Sequence, residues 1–272
     1  TALRRQRQMC IRDRYIAGIG AGGAGKFMSI SKSNNSGTWY SYNGASSNQT
    51  ATSPVAGVWY HAVVTQTGTT RRIYIDGVED ANSPFTVAAL AIPYNNLTLG
   101  GFNNTSNANP SVLYRLDGLL SNVQVFNTAL SGLEVTTLYN YGSPIKTLAS
   151  IPQSSNLKAW YKLDASATYD SSTTTWTIPD DSTNSNDGTS SGMTQANLVQ
   201  SDLSFTSGYS PYALDFDAAS GDYIDAGSAS YLNALSEFSI SCWFKLDTAA
   251  NNNAIISDWS VSYTHLTLPT KC

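Results

Sequence analysis

Between Gly57 and Gly142 the chain runs as short stretches in which apolar and polar residues alternate, each soon stopped by glycine or asparagine. A period of two places every second side chain on one face, so such stretches fold as half-buried β-strands, and the frequent stops favour antiparallel neighbours. WYHAVVTQ at 59–66 and RRIYIDG at 71–77, joined by TGTT, read as a hairpin. NNLTLGG ends in a double glycine, and LLSNVQVFN alternates from 119 to 127. Upstream, KFMSISK at 26–32 and GTWYSYNG at 37–44 read as two more strands between polar loops. One segment breaks the rhythm: SGLEVTTLYNYG carries the S-x-x-E signature of a capping box at Ser131 and Glu134 and ends in Gly142. It predicts a short helix at about 132–140. Residues 143–156, with two prolines and little periodicity, are expected to form an extended linker. The strand pattern then resumes in LKAWYKLD, YALDFD, DYIDAG and FSISCWFKL.

The two ends lack this pattern. Residues 1–14 carry five of the fifteen Lys and Arg, and residues 261–272 share neither the composition nor the turn rhythm of the body. Both read as non-native tails, of the kind that read-through of sequencing adapters produces. Residues 15–260 alone hold nine basic and eighteen acidic residues, a net charge of −9 against −4 for the whole chain. The basic N-terminus is therefore no electrostatic footprint for nucleic acid. Residues 15–156 sum to +1 and residues 157–260 to −10, an acidic share that suits either a cation or solubility. Cys10 and Cys272 fall in the tails, and Cys242 in its apolar strand reads as a small buried hydrophobe. No disulfide framework, zinc spacing or redox pair can be built from these three. No apolar run approaches the roughly twenty residues that span a bilayer as a helix, so membrane insertion is not expected.

Trp59, His61, Val63 and Thr65, then Tyr74, Asp76 and Gly77, then Leu97, Leu99, Gly100 and Gly101, and finally Asn127, Ala129, Leu130 and Ser131 form an ordered set. It resembles the second half of a laminin-G-like, concanavalin A-type jelly roll, whose members read W-x-H-x-A/V-x-T, Y-x-D-G, L-x-L-G-G and N-x-A-L-S. Trp160, Leu163, Asp164, the loop from Asp181 to Gly188, Leu214, Phe216, Tyr223, Ile224, Phe238, Ile240 and Trp243 resemble the first half. The resemblance implies an all-β, antiparallel two-sheet jelly-roll sandwich with one short helix. A back half at 15–142 and a front half at 157–260, joined by 143–156, would complete one circularly permuted sandwich, as if cut from a tandem array. Two separate half-sandwiches would leave long apolar edges. The function implied is a non-catalytic adhesion module that recognises a carbohydrate or a protein. Its setting would be a larger repeat-bearing phage structural or bacterial surface protein, at the cell surface, on a virion or otherwise outside the cell. A spacer without a ligand is the competing class, and a polysaccharide-cleaving enzyme the third.

Several motifs could carry chemistry. Gly18, Gly20 and Gly23 spell G-x-G-x-x-G, but the strand-like KFMSISK follows where a dinucleotide site needs a helix N-terminus. His61 is the sole histidine of residues 15–260, lacks triad partners in the sequence, and reads as structural. Glycoside hydrolysis needs two carboxylates about 5–10 Å apart; Glu79, Glu134 and Glu237 lie in no glycanase motif, and Asp215 and Asp217 merely share a strand face. The turn PDDSTNSNDG is the better candidate. Asp181, Asn184, Asn186 and Asp187, beside Asp180, supply hard oxygens of the kind Ca2+ takes, and the resemblance implies one calcium at a sandwich rim. The alternative is a turn in which these side chains cap their own backbone. Ser121 and Asn122 stand where the family often carries an acidic pair. For a glycan, Tyr40 and Tyr42 share one strand face opposite Trp39, and Asn103 and Asn104 bring amides from a neighbouring loop. Rings and amides together are what a sugar face requires.

Overall fold

The protein's computed structural model describes residues 30–32, 38–42, 47–90, 96–101, 115–203, 210–228, 231, 235–248 and 253–258. The strands, in chain order, are β1 (Ile30–Lys32), β2 (Trp39–Tyr42), β3 (Ser47–Gln49), β4 (Trp59–Thr67), β5 (Thr70–Ile75), β6 (Val78–Glu79), β7 (Phe85–Thr86), β8 (Asn96–Leu99) and β9 (Gly118–Phe126). Helix α1 (Gly132–Tyr139) follows. After it come β10 (Leu157–Tyr161), β11 (Thr168–Asp170), β12 (Thr175–Ile178), β13 (Gly188–Ser191), β14 (Leu198–Gln200), β15 (Tyr212–Phe216), β16 (Tyr223–Ser228), β17 (Glu237–Leu246) and β18 (Asn253–Asp258).

These strands make two antiparallel sheets, as expected for a jelly-roll sandwich. Sheet I has the order β11-β12-β13-β16-β8-β18-β1-β2-β3, and sheet II the order β14-β15-β9-β17-β4-β5-β6, with β10 also on β9 and β7 also on β5. Both sheets interleave strands from before and after residues 143–156. β17 pairs with β4 from Glu237↔Thr67 to Lys245↔Trp59 and with β9 on its other edge, while β8 lies between β16 and β18.

Alternation decides which side chains enter the core. Ala62 and Val64 of β4, Val123 and Val125 of β9, and Phe238, Ile240, Cys242, Phe244 and Leu246 of β17 meet Leu97 and Leu99 of β8 and Ile224 of β16 between the sheets. The opposite face of sheet II is covered as well. Val63, Tyr74, Phe126 and Trp160 pack there against Leu130, Val135, Leu138, Ile145 and Ile151. Buried on both faces, β9 has no exposed residue. Gly100 has φ +70°, and a β-carbon there would sit 2.2 Å from the Phe216 ring, so the double glycine lets the LDFD strand pack against β8.

The capping box is present. The Glu134 amide donates to Ser131 Oγ, and the Ser131 amide donates to the Glu134 carboxylate at 2.7 Å. The helix stops earlier than Gly142, at Asn140, which adopts the left-handed conformation with φ 46°. The expectation of an extended linker is corrected. Residues 143–156 contain 3-10 turns at Leu148–Ser150 and Ser154–Asn156, bury Ile145 and Ile151, and donate from Gln153 to the Glu134 carboxylate at 2.7 Å. Two isolated isoleucines give no period, yet suffice to pin a strap across a sheet.

Candidate functional site

The acidic turn is brought together as the sequence suggests, with Asp180 buried and Asn184 and Asp187 exposed. The amides of Trp160 and Ser182 donate to Asp180 Oδ1, and that of Asn186 to Asp180 Oδ2. Asp187 Oδ1 accepts from the Asp180 amide. Asn184 and Asn186 turn their amide groups onto the Lys158 carbonyl, and Asp181 pairs with the Lys162 ammonium at 3.1 Å. An Asx-rich turn that satisfies its own backbone is the arrangement seen, with a cation already beside Asp181. Among the described residues no three His, Cys, Asp or Glu side chains are placed to hold a metal ion. These bonds occupy both oxygens of Asp180 and one oxygen each of Asp181 and Asp187, while Asp181 Oδ2 is buried with no partner among the described residues.

Tyr40 and Tyr42 lie on β2, but their side chains are outside the described residues, as are Asn103, Asn104 and the glycines at 18, 20 and 23. Trp39 and Ser41 of the same strand are buried. Asn122 accepts from the Trp160 indole at 2.6 Å, so the position where an acidic pair was looked for serves the fold.

His61 is sealed. Its Nε2 lies 2.8 Å from Ser241 Oγ on β17, and its ring is flanked by Trp243 at 5.0 Å and Tyr139 at 6.0 Å. Burial depresses its pKa to about 3. A histidine that stays neutral and dry has neither the basicity nor the access of a general base, so the Ser241–His61 contact is structural. Ser241, 180 residues away in sequence, could be found only from the strand pairing.

A second cluster, of which the sequence singled out only Asp215 and Asp217, sits where β15 and β17 end and β9 begins. Burial, then repulsion from Asp247, Asp222, Asp117 and Asp217, raises the pKa of Asp215; burial and then Asp247 raise that of Asp117. Asp217 is lowered instead, because its carboxylate caps Ser220 and Ala219.

A half-open cleft lies on the helix-covered face of sheet II. It encloses about 480 Å³ between β4, β5, β6 and the segment Ala129–Gly132 that starts α1, within the range of about 300–1,000 Å³ common for ligand sites. Strand alternation aims Thr65 and Thr67 of β4 and Thr70, Arg72 and Tyr74 of β5 at it. Arg72 and Glu79 form an ion pair at 2.5 Å on its wall. Thr65 is only 3% exposed, lines the cleft, and its hydroxyl meets no partner among the described residues. Thr65 was singled out in the sequence only as a family position; Arg72 was not singled out, and Glu79 only as one of three glutamates.

Residues 9–136 match the family described as the Concanavalin A-like lectin/glucanases superfamily. The match spans the motifs from Trp59 to Ser131 and bears out the laminin-G-like resemblance. No curated protein and no solved structure matches the chain.

Proposed function

We propose that this protein is a non-catalytic carbohydrate-binding module and that the cleft beside α1 holds the saccharide. The observation that carries the proposal is the cleft itself, in which the Thr65, Thr67 and Thr70 side chains stand beside the Arg72–Glu79 pair. Hydroxyls and a charged pair gathered in one cleft offer the donors and acceptors that a sugar's hydroxyls need. The lectin side of the matched superfamily supports the same reading.

The glucanase side makes hydrolysis the alternative to be measured. Against it stand the three glutamates, each held by a structural partner: Glu79 by Arg72, Glu134 by Ser131 and Gln153, and Glu237 by Thr128. A glycan array is expected to show binding, and incubation with the bound glycans to release no reducing sugar. Sugar release would replace the binding reading with an enzymatic one. A blank array would leave a spacer.

A further inference from the structure

We infer that the cleft takes an uncharged sugar unit, gripped through two adjacent hydroxyls by the Arg72–Glu79 pair; the inference rests on the carbohydrate reading above. The two charged side chains that line the cleft match each other, and the carboxylate beside it, Glu237, already accepts from the Thr128 hydroxyl. Glu79 neutralises Arg72. The positive end of α1 is neutralised by Glu134, whose carboxylate accepts from both the amide and the hydroxyl of Ser131. A carboxylate on the ligand would displace Glu79 or be repelled by it, and an ammonium would compete with Arg72 for the same oxygens. A sugar hydroxyl both donates and accepts. One can accept from the guanidinium while its neighbour donates to the carboxylate, leaving the ion pair intact. The Thr65 hydroxyl supplies a third anchor, and Tyr74 and Leu130, both buried, give the apolar floor on which the C–H face of a pyranose rests.

The test uses the full chain, with methyl glucoside, galactoside and mannoside as uncharged probes and glucuronate and galacturonate as acidic ones, followed by saturation-transfer NMR and titration. At least one uncharged glycoside is expected to bind about tenfold or more tighter than its uronate counterpart. Glu79→Gln should lower that binding by roughly tenfold, the worth of one charge-assisted hydrogen bond, and should raise uronate binding, because Arg72 is released. Thr65→Val should weaken the uncharged glycosides without raising the uronates, and equal melting curves for both variants and the parent would exclude misfolding. Uronates bound as tightly as the glycosides by the parent chain would overturn the uncharged assignment and leave the carbohydrate reading standing. Sugar binding that ignores both variants would overturn the cleft as the site. No binding of any probe, with a blank glycan array, would sink the inference together with the reading beneath it.

Discussion

His61 shows how one side chain sets a pH response. The unfolded chain takes a proton on this imidazole below its ordinary pKa of 6.5, whereas the folded chain resists until about pH 3. The unfolded state thus binds more protons in that window, and stability falls as pH falls. The contribution is complete above pH 6.5 and is lost progressively towards pH 3, by up to about 5 kcal/mol at 1.36 kcal/mol per unit. Denaturant titrations from pH 4 to 8 should therefore show a steep acid limb that His61→Gln flattens; an unchanged limb would place the sensitivity elsewhere. Asp215 acts with the opposite sign. Burial and neighbouring aspartates raise its pKa, so its charge opposes folding at neutral pH and the strain is relieved as pH drops through the raised value. Asp215→Asn should accordingly raise the melting temperature at pH 7 and bring little gain in acid. A fall at pH 7 would mean that its carboxylate makes a contact worth more than the repulsion.

At the scale of elements, helix and strap act as one cover. Ser131→Ala removes the cap of α1 and should cost about 0.5–2 kcal/mol, towards the low end because the cap is exposed. Ile151→Ala empties a buried site under the strap and should cost about 2–5 kcal/mol; chemical denaturation measures both, and a smaller loss for Ile151 than for Ser131 would show that the strap does not pin the helix. The helix was legible because its cap is local, written in four consecutive residues. The strands were legible because alternation is local too. The strap was not, since its two buried isoleucines follow no period. The cleft was legible only in part. Thr65 stands in a visible strand, but what makes it a site is the arrival of β6 and the Ala129–Gly132 segment, which no local pattern records. In the acidic turn composition announced oxygens, but only the fold shows which of them backbone amides and Lys162 engage.

For the whole molecule the decisive feature is β17, set between β4 and β9 although both lie far before it in the chain, on the other side of residues 143–156. Neither side of the strap closes a core alone: Ala62, Val64, Val123 and Val125 need Phe238, Ile240 and Phe244 across the same interior. Calorimetry should show one cooperative transition, and millimolar calcium should leave it in place; a shift of about 2.7 kcal/mol, the gain at a hundred times a dissociation constant, would reverse the reading of the acidic turn. The sharper test is to produce residues 15–142 and 157–260 separately. Each fragment alone would present unpaired edges and an uncovered apolar face, and should give the circular dichroism of a largely unfolded or aggregating chain. Mixed, they should regain the β spectrum and a single melt, as two complementary parts of one permuted sandwich would. Their net charges of +1 and −10 for 15–156 and 157–260 offer little long-range attraction, so recovery should depend on strand pairing and burial and should change little with added salt. Two fragments that each fold and melt independently would end the idea that the halves complete one another.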